Sequence, residues 1–454
     1  MGFNKDFVWG VATSAYQIEG AAYEEGKGLS IWDVYCTQPG RVFEGHHGEV
    51  ACDHYHCYKE DVQLMKEMGI KAYRFSISWP RVLPKGVGEV NEVGLAFYDK
   101  LVDELVEAGI EPYVTLFHWD LPYELHKKGG WMNSDSPSWF AEYSKVVVER
   151  LSDRVKNFFT FNEPQCFIGF GYSEGIHAPG LKQSVRDTLA MAHNVLLAHG
   201  HSVKTIREHA KGEVKIGFAP TASMNYPCSE KPEDIEAARR SIFDMPEEVR
   251  EDWAWNVTWW SDPILLGHYP EDGLKLFKDY LPEIKEGDME IISQPIDFLG
   301  QNVYNGRAIK AGENGEPIYL KREEGAPKTA LNWPITPEAL YWGSRFLYER
   351  YKKPIYITEN GLACHDVVSV DGKVHDPNRI DFLHRYLKEF KRAAEDGVEA
   401  AGYFQWSLLD NFEWHSGYAE RFGIVYVDYQ NQKRIIKDSG YWYKSVIETN
   451  GEVL

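Results

Sequence analysis

The chain has 454 residues, 43% hydrophobic and 26% charged, with a formal net charge of -20 at pH 7. That length suits one barrel with extended loops better than one sandwich, and the composition is that of an ordinary globular protein with a sizeable core. The acidic balance argues against nucleic acid as a partner, because a polyanion selects a basic face. No run of about 18 apolar residues occurs, so no membrane-spanning helix is expected. The start, Met1-Gly-Phe-Asn-Lys-Asp6, lacks the basic-then-apolar pattern of a signal peptide. Six scattered cysteines fit reduced thiols in a cytoplasm better than a disulfide framework.

Val8 to Ser14 reads as a first buried strand, ended by Ala15-Tyr16-Gln17. Glu60 to Met68 has helical spacing and stops at Gly69, and a strand from Ala72 to Ser78 follows. Glu92 to Ala108 places Tyr98, Leu101, Val102 and Leu105 on one stripe and ends at Gly109, before a strand from Pro112 to Phe117. The joints Gly69-Ile-Lys-Ala-Tyr73 and Gly109-Ile-Glu-Pro-Tyr113 resemble one another, which suggests one structural unit recurring. A helix over 138–154 precedes the run Asn157-Phe-Phe-Thr-Phe-Asn-Glu-Pro164, and a helix over 186–209 precedes the strand Lys215–Thr221. Asp297–Tyr304, Pro354–Glu359 and Gly402–Ser407 complete eight strands, with a helical stripe through Leu383, Tyr386, Leu387, Phe390 and Ala394 between the last two. No linker or low-complexity segment interrupts the alternation. The pattern predicts an α/β fold, a single (β/α)8 TIM barrel with extended strand-to-helix loops, over one domain 1–454. A doubly wound sheet is disfavoured by eight strands and by the lack of a glycine-rich nucleotide loop.

In such a barrel the active site lies at the carboxyl ends of the strands. That end collects Gln17, Arg74, His118 with Trp119, Asn162 with Glu163, Asn302 with Tyr304, Glu359, and Trp406. The opposite ends supply turn residues only. Glu163 and Glu359 each end an apolar or aromatic strand, where a charge needs a reason. A pair of glutamates at one rim is what acid-assisted glycoside cleavage requires, one protonating the leaving oxygen and one facing the anomeric carbon. The weakly charged run Pro164-Gln-Cys-Phe167 would keep Glu163 protonated, while Arg74 and a hydrogen bond from Tyr304 would keep Glu359 ionised, so the two are expected to be tuned in opposite directions. Sequence spacing does not give the carboxylate separation and leaves retention or inversion open.

The chain resembles the family 1 glycoside hydrolases, the β-glucosidase and β-galactosidase group, over essentially its full length. The matching stretches are Phe7–Gly20, Tyr73–Trp79, His118–Pro122, Thr160–Pro164, Ile357–Gly361 and Trp406–Trp414. The resemblance implies double displacement with retention, Glu163 as acid/base, Glu359 as nucleophile, and no cofactor or metal. Gln17, His118, Asn162, Glu413 and Trp406 would then hold the non-reducing sugar of a β-linked glucoside, and Trp333 would line the leaving-group side. Gln165 stands where the family usually has Trp, and Gly300-Gln-Asn-Val-Tyr304 departs from the commoner motif while keeping Asn302 and Tyr304 in place. Thioglucosidases of the family have Gln where Glu163 stands. The phospho-glycosidases have a serine followed by Lys and Tyr in the loop where this chain has Glu413 and Trp414, so an unphosphorylated sugar is expected.

Bland readings stand beside these. Cys52-Asp-His-Tyr-His-Cys57 has no standard zinc spacing and leads into a helix. A phosphate-binding barrel would show a glycine loop after the seventh or eighth strand, and a non-catalytic sugar binder need not keep both glutamates. The connection from Arg307 to Pro334, long for a compact domain, is read as a lid or subsite wall ending at Trp333. A homo-oligomer stays open.

Overall fold

The structure, a computed structural model, describes residues 2–454. Eight parallel strands close on themselves: β1 (Val8–Ala12), β2 (Ala72–Ser76), β3 (Glu111–Phe117), β4 (Asn157–Asn162), β5 (Lys215–Ala219), β6 (Phe298–Asn302), β7 (Ile355–Asn360) and β8 (Ala400–Trp406). Each pairs with its sequence neighbours, and β1 pairs with β8 from Val8↔Gly402 to Ala12↔Trp406. Helices return the chain between strands, among them His54–Glu67, Glu92–Glu107, Ser136–Leu151, Val185–His209, Glu338–Tyr351 and Pro377–Glu395. This is the (β/α)8 barrel predicted from the alternation.

The strands are mostly apolar because both faces are buried, as a parallel barrel requires, and their polar residues, Arg74, Asn162, Asn302 and Glu359 among them, gather towards the carboxyl ends. Inside the barrel each strand contributes one side chain to a plug: Ala12, Ala72, Tyr113, Phe159, Ala219, Phe298, Tyr356 and Phe404. Small residues on β1, β2 and β5 make room for large rings on the others, and the rings pack edge to face, Phe298 on Phe159 at 5.1 Å and on Tyr356 at 4.9 Å. The plug closes the barrel below the site, so ligand access is from the carboxyl ends.

Gly69 and Gly109 take positive φ, +71° and +75°, as the two matching joints anticipated. The first barrel helix starts at His54 rather than near Glu60, because the Cys52–Cys57 segment supplies its first turn, with His54 Nδ1 against Asp61 Oδ2 at 2.7 Å. The helix expected over 138–154 begins at Ser136, with Pro137 in its first turn, where a missing N–H is harmless. Several strands end two residues earlier than read, since Ser78, Thr221 and Tyr304 already belong to the rim loops. The long connection after β6 is not a plain loop: Ala308–Ala311 and Pro317–Tyr319 form an antiparallel hairpin that joins Tyr226–Pro227 in a small sheet.

One close approach fixes the end of β7 against β8. A Cβ on Gly361 would lie 1.7 Å from the Trp406 carbonyl oxygen, a backbone atom that has nowhere to go. Gly361→Ala is expected to destabilise the protein by about 1–3 kcal/mol, the usual range for forced overpacking. Chemical denaturation of the two proteins side by side measures it, and an unchanged midpoint would show that the strand ends can part freely.

Candidate active site

The carboxyl ends of the strands open into a cavity of about 1080 Å³ whose lining includes Glu163, Glu359, His118, Trp119, Tyr304, Trp333, Trp406, Glu413 and Trp414. Arg74, Asn162 and Asn302 are fully buried and hold the floor.

The floor is one hydrogen-bonded chain. Arg74 lies over the Phe159 ring of the barrel plug at 5.0 Å and donates from Nη1 to Glu359 Oε1 at 2.8 Å and from Nη2 to Asn162 Oδ1 at 2.6 Å. Asn302 Nδ2 donates to that same Asn162 oxygen at 3.0 Å and to Glu163 Oε1 at 2.7 Å, while Thr358 Oγ1 donates to Asn302 Oδ1 at 2.6 Å. Tyr304 donates to Glu359 Oε2 at 2.7 Å. Both oxygens of Glu359 are therefore held, one by a cation and one by a phenol.

The same accounting sets the histidine. Asn162 Oδ1 accepts twice, so its Nδ2 must be the donor to His118 Nε2 at 3.1 Å. That leaves His118 Nδ1 as the N–H, and Nδ1 has no partner in the protein. Burial, with Arg74 nearby, keeps the ring neutral by pushing its pKa well down. A buried donor without a partner, on a residue that borders the cavity, is suited to a ligand hydroxyl.

Burial pushes the Glu163 carboxyl up to about 7, and the charge of Glu359 adds to the rise; Asn302, Cys166 and Arg74 pull the other way. Burial also raises Glu359, against the pull of Arg74 and the Tyr304 hydroxyl. This corrects the expectation of opposite shifts: both rise, because both lie in one desolvated site. The asymmetry survives in the partners. Glu359 touches a guanidinium and Glu163 does not, so Glu359 gives up its proton first.

The aromatic wall is continuous. The His118 ring lies nearly parallel to Trp406 at 5.9 Å and to Trp414 at 6.0 Å, and Trp119 packs on Trp414 at 4.4 Å. Trp333, half-buried at the end of the hairpin connection, sits against Tyr304 at 5.3 Å. Glu413 reaches the cavity with Oε2 unpartnered, and burial together with Glu359 and Glu163 pushes it up to about 8. Among the described residues twelve non-glycine positions have positive φ, and Trp119, Glu163, Asn332 and Trp414 all border this cavity. Backbone held in that region is unfavourable unless its surroundings impose it, and it gathers at functional sites.

Gln17 lies behind the cavity lining, as Arg74, Asn162 and Asn302 do. It is fully buried and does not border the cavity; its Nε2 donates to Asn411 Oδ1 and the Phe412 carbonyl, both at 2.9 Å, and its Oε1 accepts from Ser14. It ties the start of the chain to the loop that carries Glu413. Sequence reading noticed Cys166 only as part of a neutral setting, yet its Sγ lies 3.2 Å from Glu163 Oε2. It also passed over Phe170 and Trp255, an edge-to-face pair at 4.7 Å in the outer wall, because single aromatics in a chain this rich in them carry no signal.

The family model for glycosyl hydrolase family 1 matches residues 1–452. The chain is similar to a 1,4-β-D-glucan glucohydrolase of Thermotoga neapolitana, 49% identical with 99% of each chain covered. It is also similar to an aryl-phospho-β-D-glucosidase of Bacillus subtilis, 42% identical with 100% of this chain and 98% of the other covered. A solved structure of the β-glucosidase from Thermotoga maritima in complex with glucoimidazole superposes with a TM-score of 0.90 at 48% identity, covering 99% of each chain.

Tyr304→Phe keeps the ring against Trp333 and removes only the hydroxyl bound to Glu359. Its kcat on an aryl β-glucoside is expected to fall about tenfold to a thousandfold, the scale of one positioned charge-assisted hydrogen bond. Thermal melting should stay as it was. An unchanged kcat would show that Arg74 alone orients Glu359.

Proposed function

The chain belongs to glycosyl hydrolase family 1, and on that basis we propose that it is a retaining β-glucosidase with Glu163 as acid/base and Glu359 as nucleophile. The observation that carries the role assignment is the unequal holding of the two carboxyls. Arg74 and Tyr304 grip both oxygens of Glu359, and no cation touches Glu163.

In the first step a Glu359 oxygen attacks the anomeric carbon while Glu163 passes its proton to the glycosidic oxygen, so the sugar–aglycone bond breaks and the alcohol leaves. In the second, Glu163, now a carboxylate, takes a proton from water; the water oxygen bonds to the anomeric carbon and the Glu359 ester breaks. Each step inverts, and the β configuration returns. The Nδ1–H of His118 and the carboxyl of Glu413 would meet the hydroxyls of the bound sugar, with Asn162 held between His118 and Arg74, Trp406 and Trp414 facing its ring, and Trp333 at the leaving group.

The substrates proposed are unphosphorylated β-D-glucosides, aryl glucosides and short oligosaccharides such as cellobiose, with galactosides and fucosides as further substrates. The charges that act on Glu413, those of Glu359, Glu163 and Glu420, are all negative, which disfavours a sugar 6-phosphate carrying close to two charges of the same sign. No described helix is long and apolar enough to cross a membrane. The six cysteines are free, which supports a reducing, cytoplasmic setting.

Two measurements test this reading. With Glu359→Ala, activity should nearly vanish, and added azide should restore turnover to the α-glycosyl azide by direct attack in the vacated space. Glu163→Ala should still react with good leaving groups and give the β-glycosyl azide. The opposite pair of products would reverse the two roles. Separately, kcat/KM for nitrophenyl β-glucoside should exceed that for its 6-phosphate, and Glu413→Ser should lower it. A preference for the phosphate ester would sink the substrate assignment.

A further inference from the structure

Glu163 has two oxygens, and the protein treats them differently. Oε1 accepts from Asn302 Nδ2, an obligate donor whose other hydrogen goes to Asn162 Oδ1. A proton on Glu163 therefore belongs on Oε2. Among the described residues the one side chain that hydrogen-bonds Oε2 is Cys166, whose Sγ lies 3.2 Å away. Its place is set by backbone, since Cys166 N–H donates to the Glu163 carbonyl at 3.0 Å across the first turn of helix Pro164–Ile168. Cys166 is buried yet borders the cavity, and burial with Glu163 alongside keeps the thiol protonated.

A thiol is a weak donor and a weak acceptor through one rotatable bond. We propose that Cys166 is a positioning residue for Glu163, its S–H donating to Oε2 when that oxygen is bare and turning to accept from it when it carries the proton. No bond to sulfur forms or breaks. The weak contact holds Oε2 towards the leaving group in both half-reactions and lets go when a substrate oxygen or water takes the sulfur's place. A partner that can only donate, such as an ammonium or guanidinium, would favour the ionised state and slow the half-reaction that needs the proton. This rests on Glu163 being the acid/base.

The charged and titratable groups that act on or are acted on by Glu163 from other elements are Glu359 on β7, Arg74 on β2, Tyr304 after β6 and Glu413 after β8, and His118 after β3 borders the same cavity. All stay in place in a variant at 166. Cys166→Ala removes a donor to the carboxylate, so the acid form persists to higher pH. The basic limb of kcat/KM against pH on nitrophenyl β-glucoside should move up by about half a pH unit, a threefold change in the acid/base ratio. Cys166→Ser, which keeps a group that both donates and accepts, should hold the limb near its original position. A merely structural role would lower the whole profile without moving its limb.

The same titration on Glu163→Gln separates two failures. A basic limb that survives Glu163→Gln would remove the acid/base assignment and this proposal together. A limb lost there but unmoved in Cys166→Ala overturns the proposal alone. Infrared difference spectra of the unmutated enzyme give a readout independent of any variant's folding: an S–H stretching band should shift across the basic limb. A silent S–H region would overturn the proposal.

Discussion

The site is built on a buried charge. Arg74 is fully enclosed on β2, above the aromatic plug, and a guanidinium there is tolerable only if its hydrogens are used. Four contacts answer most of that need, Glu359 Oε1, Asn162 Oδ1, the Thr358 carbonyl and the face of Phe159, and leave the Nε hydrogen alone without a hydrogen-bond partner. Meeting them draws β2, β4 and β7 to one point. The position of Glu359, the orientation of Asn162 and hence the tautomer of His118 all follow from that one cation.

Desolvation does the rest. Three carboxyls, Glu163, Glu359 and Glu413, border one cavity; burial raises all three, Glu359 adds to the rise of Glu163, and both add to that of Glu413. With a single buried cation among them, they do not all ionise together. A site of this kind divides labour among chemically identical groups by the partners each one has. Glu359 has a cation and a phenol, Glu163 an amide and a thiol, and Glu413 an oxygen with no partner in the protein.

The cavity also concentrates backbone that is unfavourable by itself. Trp119, Glu163 and Trp414 take positive φ, and each is pinned: Trp119 Nε1 donates to the Asn162 carbonyl, Glu163 N–H donates to Ala219 on β5, and Trp414 packs on Trp119 and Trp32. The closed barrel supplies the rigidity that holds these conformations. The loop after β8, where Glu413 and Trp414 sit, is anchored by Gln17 and by Asp410, which accepts from Arg421 and from the buried Lys437.

The sequence by itself determined the barrel and which residues stand at its rim. Strand and helix periodicities are local, and a strand that ends in Asn162-Glu163 or Thr358-Glu359-Asn360 puts its last side chains at the carboxyl end whatever surrounds it. Boundaries were less legible: His54–Cys57 has no helical stripe of its own, yet it forms the first turn of the helix, with His54 and Tyr55 buried. Contacts between strands far apart in the chain were decided by the tertiary structure alone. The contact of Cys166 with Oε2, the bonds of Gln17 to Asn411 and the Phe412 carbonyl and the upward shift of both glutamates all depend on burial and on the rotamer each side chain is left, and no spacing along one chain encodes those.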